Sequence, residues 1–474
     1  MVDKGIIRAL CLQLGFVLRR RGSVKEEVYD ICTAISVFYR FCPGLVSSED
    51  SLRRGTDLFF LLPEAFQKGA VLSVMSIWHS IASTEGGTRT LLQNPNALLG
   101  ARDVVKNQLG GTDGVLEALG FLKNVTYFCE ENRKLVISQR GLLSALTRLP
   151  FNDTSEKVRD KVSSVYRNMA LSLHTRVALA KRPDFLTALT ALANSTSAST
   201  VKNMLSTIVS LASDPDSSLL IVFHGEGILV EILRRCISNE EDVTVRKRAV
   251  RAIRLLATET SAPLMIHDNT LMDALSKRAL HDQSAEVRSE AAEAFAKCAS
   301  LVTAPMAQHE AVLDALTHLS SSPHAIPSDV MARALREQAN HPENRKALAK
   351  REALMVVMGQ IAMSDKTSVG AKENICSVWL QLSFEDHSIR ELIATPLTLE
   401  ALVHNATSHG NRNHTIRQDA IKALLNLAAV PSNRERMVKH ASLMRTLLHY
   451  ASTTRQEDLK TEVKAAIMHL AQEL

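Results

Sequence analysis

Residues 420–437 carry the sequence AIKALLNLAAVPSNRERM, in which an apolar helical pattern runs into a proline. Asn433 and Arg434 then open a second helical pattern. The same order of features recurs at 332–345 as ARALREQANHPENR and at 119–133 as LGFLKNVTYFCEENR. Recurrence at such wide intervals indicates one structural unit that is used many times along the chain.

The length of this unit follows from tracing the position of Asn426 through the sequence. Equivalent positions lie 40 to 45 residues apart, at Ser80, Asn124, Asn168, Ser210, Leu255, Lys297, Glu337, Gln381, Asn426 and His469. A period in this range is typical of repeats of two or three helices that stack on one another. No single unit of this size can bury its apolar face alone, so we expect a continuous core between neighbours.

Each unit contains three helical patterns, a short one, a second and a longer third. One unit shows them as EENRKLVIS, GLLSALTRL and SEKVRDKVSSVYRNMAL. The third pattern carries an apolar stripe at helical spacing, formed by Val158, Val162, Val165, Tyr166 and Met169. Gly141 and Gly227 lie between first and second patterns, where we expect a turn that needs a positive φ.

The Asn-Arg helix start, the intervening glycine and the Ala-Leu-x-Asn-Leu-Ala ending together resemble the armadillo repeat family, with HEAT-like character over 240–300. The resemblance covers the chain from about residue 5 to 471. It implies an all-α fold, a right-handed superhelical solenoid of about eleven three-helix repeats, the first incomplete. We expect one domain over 1–474, with repeats ending near residues 40, 83, 127, 171, 213, 258, 300, 340, 384, 429 and 471.

Composition sets broad limits on function. The 56 Lys and Arg residues exceed the 50 Asp and Glu residues by only 6, a bias too weak to indicate nucleic acid or a membrane surface by itself. Seven scattered cysteines without a C-x-x-C pair indicate reduced thiols, hence the cytoplasm or the nucleus. No apolar run is long enough to predict a membrane span.

The armadillo resemblance implies that the third helices line an inner, concave surface that binds partners. Asn124, Asn168 and Asn426 occupy the groove column there, and we expect them to hold partner backbone. The family's nuclear-import adaptors carry a tryptophan four residues before this asparagine, and none stands there in this sequence. Trp78 and Trp379 fall instead at positions that the repeat buries, so we expect them in the core.

A basic stretch, VRKRAVRAIR at 245–254, is the strongest candidate for partner contacts. Lys247, Arg251 and Arg254 share one helix face, and Lys202 matches Lys247 one repeat earlier. This set fits an acidic or phosphorylated extended segment. The alternative is an internal ladder in which Arg251, Glu293 and Arg333 pair across neighbouring helices. Lys202, Lys247 and Arg254 have no acidic partner in the aligned columns, which favours them as binding residues.

No phosphate-binding loop, nucleophile elbow, zinc-protease motif or kinase signature is present. His404, His409 and His414 lie in a Gly- and Asn-rich stretch without cysteine, which indicates a flexible loop rather than a zinc site. We therefore expect no enzyme activity, cofactor or metal. The predicted function is a protein-interaction scaffold or adaptor. A nucleic-acid-binding solenoid and the regulatory subunit of an enzyme complex are the alternatives, although acidic residues among the basic ones and few aromatics argue against nucleic acid.

Overall fold

The protein's architecture was described from a computed structural model. The described residues are 4–20, 25–41, 56–151, 155–239, 242–301, 328–407, 414–454 and 456–472. They fall into two compact units, Met1–Ile232 and Leu233–Leu474.

The first unit is built from helices that follow the predicted order of short, second and third. Four helices precede the first complete set of three: α1 (Lys4–Leu18), α2 (Lys25–Phe41), α3 (Thr56–Gln67) and α4 (Val71–Ile81). The sets that follow are α5 (Glu85–Leu92), α6 (Asn96–Asn107) and α7 (Gly111–Phe128); α8 (Glu130–Ser138), α9 (Leu142–Arg148) and α10 (Glu156–Met169); and α11 (Leu173–Ala180), α12 (Pro183–Leu192) and α13 (Ala198–Ala212). The short helix α14 (Pro215–Val222) comes next, and α15 (Ile228–Asn239) contains the boundary between the units.

The second unit continues in the same order. It contains α16 (Val243–Leu256), then α17 (Ala262–His267), α18 (Asn269–His281) and α19 (Ala285–Ser300), and after an interval α20 (Ser328–Ala339). Three further sets complete it: α21 (Pro342–Ala349), α22 (Glu352–Met363) and α23 (Val369–Ser383); α24 (His387–Ile393), α25 (Pro396–Ala406) and α26 (His414–Ala428); and α27 (Pro431–Val438), α28 (Leu443–Thr453) and α29 (Glu457–Ala471).

Helices of the same kind pack on one another within each unit. The third helices of the first unit form the series α2, α4, α7, α10 and α13, in which each contacts the next. Those of the second unit form the series α16, α19, α20, α23, α26 and α29. Second helices stack in parallel series, for example α6 on α9 and α9 on α12. This layering is that of a helical solenoid, as the sequence period predicts; the repeat number and the right-handed superhelix remain predictions.

The core between the layers is formed by the predicted apolar stripes. Val158, Val162, Val165, Tyr166 and Met169 are all buried on α10. Trp78 and Trp379 are buried as well, so the prediction that both belong to the core is confirmed. Gly141 and Gly227 have φ values of 80° and 88°, which confirms the positive φ expected at these turns.

The Asn-Arg pairs that follow α7, α20 and α26 donate hydrogen bonds at the ends of these third helices. The last four carbonyl groups of an α-helix lack partners within the helix and need donors from elsewhere. After α7, the Asn132 amide donates to the Val125 carbonyl at 3.2 Å. Arg133 Nε donates to the Thr126 carbonyl at 2.8 Å and Nη2 to the Tyr127 carbonyl at 3.0 Å. Both side chains thus tie the new short helix to the one just completed.

The same closure recurs at the other Asn-Arg sequences. After α26, Asn433 donates to the Leu427 carbonyl at 3.2 Å and Arg434 Nε to the Ala428 carbonyl at 3.1 Å. After α20, Arg345 Nε donates to the Ala339 carbonyl at 2.6 Å. The motif is therefore a helix-capping device, and its recurrence follows from the recurrence of third helices.

No helix within the described ranges is both long and apolar enough to cross a membrane.

The capping role predicts a local loss of stability in an Asn433→Ala variant. Asn433 is fully buried, and its amide also donates to the Arg390 carbonyl at 3.2 Å. Truncation removes this donor from two carbonyl groups, and leaving the buried Leu427 carbonyl without it costs about 1–3 kcal/mol. Native-state hydrogen exchange should report the loss at the end of α26 and in α27.

The matched control is Arg436→Ala, an exposed position on the same helix. Its effect should stay within about 0.5 kcal/mol. Equal protection of α26 and α27 in both variants would show that the Asn-Arg pair does not stabilise this junction.

Candidate functional site

A cleft of about 380 Å³ lies on the third helices of the first unit. Seven of its eight lining residues are polar or charged, with side chains from α4, α7 and α10 and one from the turn that precedes α13. The lining residues are His79, Leu116, Glu117, Glu156, Lys157, Asp160, Lys161 and Ser197. Three consecutive third helices therefore contribute to one surface depression.

The floor of the cleft is organised around a histidine and a glutamate on neighbouring helices. His79 Nδ1 lies 2.7 Å from a carboxylate oxygen of Glu117. The ring also lies over Gly120 of α7, where a Cβ atom would come within 2.4 Å of it. A residue without a side chain at 120 is what lets the ring pack against the backbone of α7.

The rim of the cleft at α10 is held to the turn before α13. Glu156 contacts Arg159 Nη1 at 2.8 Å and accepts a hydrogen bond from the Ser195 hydroxyl. The Ser195 hydrogen bond, with that from Arg159 and its charge, lowers the pKa of Glu156 against the opposing effect of burial. Ser197 caps α13, since its hydroxyl accepts from the Thr200 N–H. The Ser-rich stretch at 194–200 is thus ordered as a connector.

The predicted groove asparagines connect adjacent third helices. Asn124 donates to the His79 carbonyl at 3.3 Å, and Asn168 to the Lys123 carbonyl at 3.0 Å. Asn426 donates to the Ser383 hydroxyl at 2.9 Å. Asn168 is only 1% exposed, so it braces two helices, whereas Asn124 and Asn426 are half-buried.

In the second unit, a lysine at the equivalent repeat position also donates a hydrogen bond to the preceding third helix. Lys297 Nζ donates to the Arg254 carbonyl at 2.9 Å. Burial, followed by the charge of Arg254, lowers the pKa of Lys297. The repeat position of Asn426 therefore carries donors to the preceding third helix in both units, at Asn124 and Asn168 in the first and at Lys297 and Asn426 in the second.

The basic helix α16 is extensively paired within the second unit. Lys247 Nζ lies 2.6 Å from a Glu286 oxygen, and Arg254 Nε lies 3.1 Å from Glu290 and 3.7 Å from Glu293. The expectation that Lys247 and Arg254 have no acidic partner is therefore wrong. The reason is geometric: these long side chains reach diagonally to acids about one turn or more from the directly opposite position.

In the structure, Glu293 does not pair with Arg251, as the predicted ladder of Arg251, Glu293 and Arg333 requires. Glu293 pairs with Arg254. Arg251 is exposed and forms no ion pair with any residue that the structure describes. Lys202 lies half-buried on α13 in the first unit, whereas Lys247, Arg251 and Arg254 belong to the second.

A buried ion pair fixes α16 to the start of α19. Arg246 donates to both oxygens of Asp282, from Nε at 2.7 Å and from Nη2 at 2.9 Å. Their side chains are 8% and 0% exposed. Burial alone would raise the pKa of Asp282, but the hydrogen bonds from Arg246 and the Ser284 N–H, with the charges of Arg246 and Arg278, hold it below its ordinary value.

Three cations that the sequence did not single out lie on α7 and α10, two of the helices that line the cleft. Lys123 of α7 and Arg167 of α10 each precede a groove asparagine, and Lys161 lines the cleft itself. Burial lowers the pKa of Lys123, and the charges of Lys161 and Arg167 lower it further, whereas Asp160 opposes them. The sequence did contain a signal for two of these cations. A basic residue stands directly before the groove asparagine in two successive repeats, at Lys123 and at Arg167.

Metal binding has no candidate in the described ranges, where no group of three or more His, Cys, Asp or Glu side chains is placed to hold an ion. His404 is exposed at the end of α25 and His414 begins α26. His409, the middle member of the histidine group, lies outside the described residues.

Comparison with solved structures supports the fold. One similar structure is an engineered protein solved by a structural genomics consortium, with a TM-score of 0.61 and 19% identity over 92% of this chain and 98% of that one. Another comes from work on how a conserved phosphorylation switch controls the interaction between cadherin and beta-catenin, with a TM-score of 0.50 and 13% identity over 90% and 99%. No protein-family model and no curated protein matches the sequence. At these identities the likeness defines the class, an all-helical, solenoid-like protein.

The buried pair predicts a large penalty in an Asp282→Asn variant. The change removes the carboxylate charge that pairs with the buried Arg246 guanidinium, and breaking a buried ion pair costs about 3–5 kcal/mol. Urea unfolding at neutral pH should show the loss. Because the pKa of Asp282 is depressed, its stabilisation is complete above the ordinary value of 3.8 and is lost as pH falls through the lower folded value. The difference between the two proteins should therefore shrink in strong acid.

Glu286→Gln provides the control, because it breaks the exposed Lys247–Glu286 pair on the same helices. Exposed pairs contribute little to stability. A similar loss in both variants would contradict the dominant role of the buried pair.

Proposed function

We propose that the protein is an armadillo-type scaffold or adaptor without catalytic activity, which binds an extended segment of a partner protein along its third helices. The proposal includes one right-handed superhelix of about eleven repeats over the whole chain, as the sequence resemblance implies. Its setting is the cytoplasm or the nucleus, which the free cysteines of the described residues fit.

The observation that carries this proposal is the cleft on α4, α7 and α10. Seven of its eight lining residues carry groups that can form directional contacts, among them Lys157, Lys161 and Asp160. Successive third helices contribute equivalent positions, so the surface offers a repeated set of contacts. Such a surface suits a partner in extended conformation, whose side chains also repeat at regular intervals.

The asparagines have two roles in this proposal. Asn124 uses its amide N–H to brace α4 and α7, and being half-buried it leaves its carbonyl oxygen to accept from a partner backbone N–H. Asn168 acts as a brace that holds α10 in position. In the second unit Asn426 and the exposed Arg251 are the proposed partner contacts, since Lys247 and Arg254 are held by acidic residues.

One of the similar solved structures concerns a protein–protein interaction, that of cadherin with beta-catenin. This fits a scaffold role for the present chain.

Selection of peptide ligands tests the proposal. A display library of random peptides would be panned on the purified full chain, and the selected peptides would be synthesised. Lysine acylation read by mass spectrometry would then be compared with and without peptide. We expect protection of Lys157 and Lys161, which line the cleft. Lys106 and Lys181, exposed on α6 and at the end of α11, should react equally in both samples.

Failure to select any peptide would contradict the proposed function, and so would protection that falls only on Lys106 and Lys181. A stoichiometric RNA that remains bound until nuclease treatment would favour the nucleic-acid alternative instead.

A further inference from the structure

The helix α1 has two sides of different character. Leu14, Val17 and Leu18 are buried, and α1 contacts α2 and α3. Gly15 lies on the buried side as well, since a Cβ atom there would come within 3.6 Å of the Leu61 side chain of α3. The opposite side of α1 is exposed to solvent.

The exposed side of α1 combines large apolar groups with arginines. Leu12 is 65% exposed and Phe16 is 63% exposed, and they lie about one helical turn apart. Arg19 and Arg20 follow at the end of the helix and are also exposed. The guanidinium carbon of Arg20 lies 5.0 Å from the centroid of the Phe16 ring. Apolar and cationic side chains therefore form one stripe along α1.

The charge in this part of the chain is one-sided. α1 contains Lys4 and Arg8 and no acidic residue. Residues 4–30 hold six Lys and Arg residues against three Asp and Glu residues, so half of the chain's net charge of +6 arises here. One of the three acids, Glu27, pairs with Arg20 at 3.2 Å, and both side chains are more than half exposed. An exposed pair contributes little to stability, so Arg20 can exchange Glu27 for another anion.

An exposed apolar side chain elsewhere has different surroundings. Met468 on α29 is 63% exposed, as much as Phe16. Its helix carries three acidic residues and two lysines, so the charges near it have both signs. On α1, by contrast, two large apolar groups share a helix whose charged residues are all positive.

We propose that the exposed side of α1 binds the surface of an anionic lipid membrane, with Leu12 and Phe16 inserted among the headgroups and Arg19 and Arg20 against lipid phosphates. A helix that lies in the plane of a membrane surface has this composition, with Leu or Phe on the side that enters and Lys or Arg beside it. Each arginine near an anionic surface adds its own attraction. The inference goes beyond the proposed function, because it uses α1 and not the cleft on α4, α7 and α10.

A membrane fits this side better than another protein does. Two apolar side chains offer far less than the roughly 800 Å² that each partner buries in a stable protein interface. A second copy fits poorly for a further reason. Antiparallel pairing that sets position 12 against position 16 of the second copy also sets position 20 against position 8, and both of these are arginines, which repel one another. A lipid surface requires neither a large complementary area nor a matching register.

The test measures binding of the full chain to lipid vesicles by flotation. The vesicles consist of phosphatidylcholine alone or of phosphatidylcholine mixed with phosphatidylserine. Two double variants remove the apolar and the cationic groups separately, Leu12→Gln with Phe16→Gln and Arg19→Gln with Arg20→Gln. The matched controls change exposed residues on other helices, Leu173→Gln with Met468→Gln and Lys106→Gln with Lys181→Gln.

We expect reversible binding to the vesicles that contain phosphatidylserine and little binding to phosphatidylcholine alone. Loss of the arginines should weaken binding about fivefold for each residue. Loss of both apolar groups should weaken it about tenfold or more, and both controls should match the wild type. In a Phe16→Trp variant, anionic vesicles should shift the tryptophan emission to shorter wavelength, whereas a Leu173→Trp variant should show no shift.

Absence of binding to anionic vesicles, or equal binding by the wild type and both α1 variants, would overturn the membrane site. An equal loss in the lysine control and the arginine variant would overturn it too, because the attraction would then be spread over the whole chain. A dimer in sedimentation equilibrium that the apolar variant loses, without vesicle binding by the wild type, would assign this side of α1 to a second copy instead.

Folding is controlled by circular dichroism, and the substituted side chains are exposed, so each variant should keep the wild-type helix content. If the apolar variant loses helix content, the arginine variant and the emission of Phe16→Trp still decide the question. None of these results depends on peptide binding at the cleft, so failure of the membrane site and failure of the proposed function are distinguishable.

Discussion

The unpaired carbonyl groups at the end of each third helix are the constraint on which the rest of the structure depends. The chain turns sharply after every third helix, and the turn leaves carbonyl groups without partners inside that helix. Stacking of the next repeat then buries these carbonyl groups, so they need donors from elsewhere. Asn132 and Arg133 satisfy them after α7, and Asn433 and Arg434 after α26. The side chains that fix the turn are also those that begin the next short helix, so each repeat is tied to the preceding one by hydrogen bonds as well as by apolar contacts.

A second set of donors holds neighbouring third helices side by side. Asn124, Asn168 and Lys297 each reach a carbonyl on the preceding third helix. A carbonyl has two lone pairs, so it can accept this bond without giving up its place in its own helix. Residues of different charge thus perform one structural task. For that reason, a column of asparagines in a sequence of this kind is not by itself evidence for a ligand site.

Charge on the third helices has a different outcome in each unit. In the second, the basic residues of α16 meet the acids at the start of α19, and a run of positive residues becomes a set of ion pairs. In the first, burial and the charges of Lys161 and Arg167 lower the pKa of Lys123, and neither Lys123 nor Lys161 forms an ion pair with a residue that the structure describes. Like charges near one another disfavour the protonated form of Lys123.

Sequence by itself determined the helical period, the order of short, second and third helices, the burial of Trp78 and Trp379, and the positive φ at Gly141 and Gly227, because each follows from the spacing of residues within one repeat. Only the tertiary structure decided which charged groups are available. Alignment places side chains directly opposite one another, but Lys247 and Arg254 reach diagonally across packed helices to Glu286 and Glu290. Availability depends on three-dimensional distance and on burial, and neither is encoded in the spacing along a single chain.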